Sequence, residues 1–430
     1  MRVHRSHRIL DLGKTKDALL EWSRTQGDVI WLDSNGHRDK YSSFEACLAL
    51  GQEEAIGGLA ELKDFVGRHK DWLFGYFSYE IKDVLEGLES NNFDGLGFAP
   101  LHFFKPQKLI VLKEGDLHMH YLEPYSQDME VDLANILALG GIERPQVDRG
   151  PRVPIKMRIY KDAYFEKVGR LLDHIQRGDL YEANFCQEFY AEQLQIDPWD
   201  IYRGLNAISQ PPFAAFMKLG PRYLICASPE RYLRKQGQKV ISQPIKGTSP
   251  RGRDAAEDAL LRESLERDPK ERAENLMIAD LVRNDLSKSA LKGSVNVEEL
   301  CKVYSFKQVN QMISTITSTV AKDKNPVELI EESFPMGSMT GAPKISAMKI
   351  IEQLEQSKRG LYSGAVGYFD PQGDFDLNVV IRSILYRADG NYVSFSVGSA
   401  ITAKSDPEKE YQECLLKAKA MRSVLEEGSS

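Results

Sequence analysis

Over residues 161–178 the apolar positions fall at Tyr164, Val168, Leu171, Leu172 and Ile175, a rhythm that predicts an amphipathic helix closed by Gly178. The next stretch, 180–190, alternates and predicts a strand. Residues 213–217 and 223–227 are short apolar runs around Gly220-Pro221, the pattern of two paired strands. Nearer the start, 29–32 is an apolar run ended by Asp33-Ser34-Asn35-Gly36, and 72–79 and 108–112 are rich in aromatic and β-branched residues. Strands grouped as hairpins, with helices between the groups, predict an α+β fold of antiparallel sheets rather than a doubly wound parallel one. The segment 143–154 holds Pro145, Gly150, Pro151 and Pro154 without apolar periodicity, and reads as a linker between an N-terminal part, 1–142, and a larger part, 155–425.

Two predicted helices carry paired carboxylates. Asp268-Pro269-Lys270-Glu271 opens the first, with Asp268 as cap, Pro269 in the first turn and Glu271 completing a capping box. Glu271 and Glu274 then share a face. Asp406-Pro407 opens the second, placing Glu410, Glu413 and Lys417 on one face and Tyr411, Leu415, Ala418 and Leu425 on a core-facing one. Facing glutamates of this kind suit a hard cation such as Mg²⁺, which takes one or two carboxylates and leaves positions for water and an anionic ligand. The same spacing also suits two solvated charged faces. Met336-Gly337-Ser338-Met339-Thr340-Gly341-Ala342-Pro343-Lys344 is a small-residue loop opening a helix, with backbone N–H groups available for an anion; it lacks the spacing of a nucleotide-binding P-loop.

In Gln243-Pro244-Ile245-Lys246-Gly247-Thr248, a lysine stands between a rigid proline and a glycine turn. Such an amine is either a solvated loop cation or, if partly desolvated, a nucleophile that loses its proton more easily than usual.

The 430 residues carry 42% hydrophobic and 28% charged side chains and a net charge of −7, without the basic face a nucleic-acid binder needs. No apolar run reaches membrane-spanning length, and the basic N-terminus lacks the apolar stretch of a signal peptide. The five cysteines are scattered and never in CxxC spacing, which suits reduced thiols in a cytoplasmic protein and offers no zinc site.

Taken in order, Gly178-Asp179-Leu180-Tyr181, Ala227-Ser228-Pro229-Glu230-Arg231, Pro244-Ile245-Lys246-Gly247-Thr248, Arg283-Asn284-Asp285-Leu286, Gly341-Ala342-Pro343-Lys344, Tyr362-Ser363-Gly364-Ala365-Val366-Gly367-Tyr368 and Ile381-Arg382-Ser383 resemble the landmarks of the chorismate-utilising enzymes. The resemblance covers about 155–425 closely, while 1–142 is similar to the more variable first portion of the aminating members. It implies one body in which two antiparallel sheets pack between helices. Members that add water to chorismate carry a lysine where this chain has Glu182. Anthranilate synthases carry alanine where it has Lys246, and the aminodeoxychorismate synthase component I group carries lysine there.

The resemblance to that group implies amination of chorismate with ammonia from a separate glutamine amidotransferase subunit, on the route to para-aminobenzoate and folate. It further implies Lys246 as a neutral nucleophile, Glu230 as general acid, and Mg²⁺ held by Glu274 and Glu413, with Glu271 and Glu410 behind them. Substrate contacts are implied for Thr248, Ser338, Tyr362, Arg382, Lys417 and the backbone at Gly398. Tryptophan, which some relatives bind, would meet Trp31-Leu32-Asp33-Ser34, a poor match to the motif. Three positions depart from the pattern: Gln311 replaces a histidine, Glu182 a glutamine, and Gly398-Ser399-Ala400-Ile401 has lost a glycine. Two further readings stay open, an anthranilate synthase component I with Lys246 as bystander, and a catalytically silent subunit that binds chorismate or tryptophan.

Overall fold

The computed structural model describes residues 1–140 and 154–426, so that most of the predicted linker lies outside the described residues. The strand Leu101–Lys113 is the spine of the architecture. One edge pairs along most of its length with Ala46–Ile56; the other is divided between Leu73–Phe77 and Asp116–Leu122. Two antiparallel arms diverge from these neighbours. The first runs through Val29–Asp33, Phe213–Leu219, Arg222–Ser228, Ser383–Arg387 and Tyr392–Thr402 to Glu182–Ala191. The second runs from Leu73–Phe77 through Ala365–Phe369, Phe375–Asn378, Arg231–Gln236 and Lys239–Gln243 to Val309–Thr319. Ile245–Pro250 and Asn296–Ser305 complete that end. The antiparallel α+β expectation holds, and both chain segments contribute strands to both arms.

The arms are held together by one apolar cluster that joins Met217, Leu224 and Cys226 of the first to Phe77, Leu233, Val240 and Phe369 of the second. The outer face of the first arm packs Phe185, Phe189 and Phe395 against Tyr164 and Val168 of helix Lys161–Arg177, Leu205 of Pro198–Ser209, Ile351 of Lys344–Leu354, and Tyr411 and Met421 of Pro407–Glu426. Each such side chain contributes roughly 1.5–3 kcal/mol through burial. The predicted 161–178 helix ends at Gly178 in the left-handed conformation, as its periodicity foretold.

Alternation along Glu182–Ala191 positions the site. Ala183, Phe185 and Phe189 pack on the helices, whereas Cys186 packs in the cluster between the arms. Glu182, two even-numbered steps earlier, lies on the face turned toward the second arm.

Both carboxylate-bearing helices start where expected. The Asp268 side chain accepts N–H from Lys270 and Glu271 at 2.8 and 2.9 Å, and Asp406 accepts from Lys409 at 3.0 Å. The capping box is a correction. The Asp268 N–H goes to the Leu265 carbonyl, because the preceding helix Ala255–Arg267 runs directly into this one, and Glu271 is left free to face elsewhere.

Candidate active site

Lys246 is aimed by a bulge. Ile245–Pro250 pairs with the neighbouring strand at Ile245↔Ile313 and Thr248↔Gln311, and the register shifts between the two. Gly247 inside the shift has φ +101°, and a Cβ there would stand 3.2 Å from both Glu271 Oε2 and Met312 Cβ. Asn275, buried on helix Pro269–Ser287, donates from Nδ2 to the carbonyls of Lys246 at 2.9 Å and Met312 at 3.1 Å, fastening helix to bulge. Sequence reasoning missed Asn275. The signal was an amide on a helix face otherwise carrying Ile278, Ala279 and Val282.

The amine reaches carboxylates from two elements. Lys246 Nζ lies 3.5 Å from Glu182 Oε1 and 3.8 Å from Glu274 Oε2. Burial pulls its pKa down, but Glu182, Glu274 and Glu413 outweigh burial and hold it above the ordinary lysine value. Burial in turn pushes Glu182 above the usual carboxylate range, against the pull of Lys246.

Glu230 follows the strand Arg222–Ser228 and is buried; one oxygen accepts from Ser338 Oγ at 3.0 Å. Burial drives its pKa up to about 7, with Ser338, the Ile245 N–H, Lys246 and Arg382 opposing, so the group holds its proton near neutrality. Ser338, expected to meet substrate, thus holds the acid. Arg382 has φ +50°, a left-handed backbone unusual for a residue with a side chain, and makes no ion pair among the described residues. Burial pulls its guanidinium below the ordinary value, with Glu230 opposing.

Of the four expected metal ligands, Glu271 and Glu274 lie on helix Pro269–Ser287 and Glu410 and Glu413 on helix Pro407–Glu426, and the charges of Glu274 and Glu413 reach Glu271. Burial raises Glu271 above its ordinary pKa, and the charges of Glu274 and Glu413 add to this. Partial burial also pushes Glu413 up, but Lys417 at 2.7 Å outweighs it and holds the carboxylate below its ordinary value. Glu410 is buried and accepts a hydrogen bond from Ser399 Oγ. Among the described residues no three His, Cys, Asp or Glu side chains stand close enough to form a ready cluster. In kind the donors fit a hard divalent cation, being carboxylates.

The remaining candidates divide. Lys417 donates to the Gly398 carbonyl at 2.9 Å as well as to Glu413, so its charge is already engaged. A Cβ on Gly398 would lie 2.6 Å from Cys186 Sγ, which explains the glycine. Tyr362 is buried, with Cys186 Sγ 3.9 Å from its Oη. Thr248 is exposed and joins the site only through backbone pairing. Gln311 is buried with Oε1 unpartnered. The Gly341 loop serves as a short strand against Ala183 and Glu182, and not as a free cradle of N–H groups. Its Lys344 forms a 2.7 Å pair with Asp285, joining two of the sequence landmarks.

A cavity of about 220 Å³ lies apart from these groups, beneath residues 34–44. It is lined by Leu32, Asp33 and Ser34 of the tryptophan-motif region and by Phe44, Phe213 and Tyr368, while Trp31 itself is buried in the core.

A two-armed antiparallel body with a lysine, a buried carboxyl and two carboxylate-bearing helices matches known proteins along nearly its whole length. Residues 26–423 match the chorismate binding enzyme family, and the chain belongs to that family. It is 35% identical over 359 residues to anthranilate synthase component 1 of Thermus thermophilus, covering 82% of this chain and 77% of that protein. It is 40% identical over 429 residues to the chloroplastic aminodeoxychorismate synthase of Arabidopsis thaliana, covering 94% of this chain but only 46% of that longer protein. Anthranilate synthase component I from Streptococcus pneumoniae superposes with a TM-score of 0.76 at 27% identity, covering 90% of this chain and 94% of that one.

Proposed function

We propose that this chain aminates chorismate as an aminodeoxychorismate synthase component I, with ammonia supplied by a separate glutamine amidotransferase subunit, on the route to para-aminobenzoate and folate. The observation that carries this reading is Lys246, whose amine faces Glu182 and Glu274 from a bulge fastened by Asn275. The name of the Arabidopsis relative supports it. A cytoplasmic setting is part of the reading, which the five free and buried cysteines suit. No helix among the described residues is long and apolar enough to cross a membrane.

Glu274 and Glu413 would hold Mg²⁺, with Glu271 and Glu410 behind them. The ion would cancel carboxylate charge that raises the proton affinity of Lys246 and would polarise the ring carboxylate of the substrate. Neutral Lys246 attacks C2, forming a C–N bond; the electron pair shifts through the ring and breaks the C4–O bond. Glu230 gives its proton to the departing hydroxyl, which leaves as water. Ammonia then forms a C–N bond at C4, the pair returns, and the C2–Lys246 bond breaks. The proton shed by the new ammonium returns to Glu230. Arg382, whose guanidinium has no ion-pair partner here, suits a substrate carboxylate.

The test is mass-resolved product analysis with chorismate, Mg²⁺ and concentrated ammonium. Aminodeoxychorismate is expected, lost in Lys246→Ala and on addition of a chelator. Anthranilate as product would overturn the reading in favour of an anthranilate synthase, and unchanged chorismate in favour of a binding subunit. The aromatic cavity beneath residues 34–44 favours a second ligand, an aromatic amino acid such as tryptophan. Calorimetric titration should show one site that Phe213→Ala weakens; no heat of binding would remove this ligand from the proposal.

A further inference from the structure

The fastening of helix to bulge at Asn275 has a second half, on the far side of its amide. The strand Asn296–Ser305 is broken opposite Ser314: Glu299 pairs with Thr315 and Lys302 with Ile313, so that Leu300 and Cys301 together face one residue. Cys301 takes a left-handed φ of +52°, unusual for a residue with a side chain, and its N–H meets Ser314 Oγ at 3.0 Å. Ser314 is fully buried, and its hydroxyl donates to Asn275 Oδ1. The Cys301 thiol approaches the same oxygen at 3.6 Å. With Nδ2 donating to the carbonyls of Lys246 and Met312, the Asn275 amide is saturated. Ser314 also reaches the lysine segment directly, its N–H donating to the Pro244 carbonyl at 3.2 Å.

The order of donors gives this network a direction. A backbone N–H can only donate, so Ser314 Oγ accepts from Cys301 and keeps its own proton for the amide. That proton requires the Asn275 oxygen on the Ser314 side, which turns the NH₂ group toward Lys246. Reversed, the amide would set its oxygen against two carbonyl oxygens. We infer that Ser314 is a positioning residue for Lys246: it fixes the orientation of the Asn275 amide, and through it the bulge that aims the amine. This rests on the reading of Lys246 as nucleophile and adds no covalent step to it.

Two measurements test it separately: turnover with chorismate and ammonium, and acetylation of Lys246 by acetic anhydride, mapped by mass. In Ser314→Ala, kcat should fall at least about tenfold while the Michaelis constant for chorismate changes less than about twofold, as for a displaced reacting group. Acetylation of Lys246 should quicken at least about threefold as the segment opens more readily, with that of Lys344 unchanged. Ser314→Thr keeps the hydroxyl, and its kcat should stay within about threefold of the wild type. Ser314→Cys, a weaker donor of similar size, should fall between the two and serves if the alanine variant does not fold. Added to Asn275→Ala, Ser314→Ala should lower kcat by less than about a further twofold, because one residue acts through the other. Unchanged kcat and acetylation in Ser314→Ala would overturn the inference. So would effects that multiply in the double variant, or acetylation of Lys344 that quickens as much as that of Lys246. Wild-type protein that forms no aminodeoxychorismate would overturn the amination reading alone, since the acetylation comparison still decides what holds Lys246.

Discussion

Two buried ion pairs meet the strand Glu182–Ala191, and they are built in opposite ways. At its middle, Arg359 grips Glu355 through two bonds of 2.6 and 2.9 Å and donates to the carbonyls of Met339 at 2.7 Å and Asn184 at 2.9 Å. Glu355 also accepts the Cys186 N–H at 2.9 Å, and the guanidinium lies 4.4 Å from the Tyr79 ring centroid. At the strand's start, Glu182 and Lys246 stand 3.5 Å apart with one carboxylate oxygen idle. A saturated network has nothing left to offer a ligand and fixes the frame; an unsaturated one keeps its capacity for chemistry. The contrast separates structural charge from functional charge only a few residues apart.

The sharpest way to break this comparison is to remove one partner of the saturated pair. Arg359→Ala leaves Glu355 buried without its cation and should cost roughly 3–5 kcal/mol, read from the shift in denaturant midpoint. A loss below about 1 kcal/mol would mean that the knot is not structural. Next comes the acid of the unsaturated region. Glu230 is raised from an ordinary 4.5 to about 7 by burial, so its folded form keeps a proton that the unfolded chain releases. Stability from this group is full below about pH 4.5 and falls as pH rises through about 7, by up to about 3 kcal/mol. Glu230→Gln should flatten that part of the profile and lower turnover by roughly 10²–10⁴-fold. In the wild type, turnover should decline above about pH 7 as the acid loses its proton. The smallest effect is expected at Glu182→Gln, whose melting midpoint should change by the equivalent of less than about 1 kcal/mol, because little bonding is lost there. A large destabilisation would place Glu182 with Arg359 among the structural charges.

Local signals carried much of the architecture. The apolar rhythm of 161–178, the Asp-Pro starts at 268 and 406, and the hairpin around Gly220-Pro221 each act within a few residues, and all appear in the structure. The site was legible by residue type but not by arrangement. Lys246 and Glu182 are brought together by strand registers that no local pattern encodes, and Ser338 finds Glu230 across 108 positions. The capping box at Glu271 failed because the preceding helix supplied the acceptor for the Asp268 N–H first. Asn275 and Arg359 were passed over although polar side chains in apolar surroundings are the available clue, since a buried polar group persists only with partners.

The spine strand also determines how this chain could be divided. Cutting within 143–154 would strip Val29–Asp33 from Phe213–Leu219 and Leu73–Phe77 from Ala365–Phe369, leaving apolar strands with open ladders. Such edges recruit any chain that will pair with them. Either fragment made alone should collect in inclusion bodies, and soluble material should return only when both are produced in the same cell and complement each other.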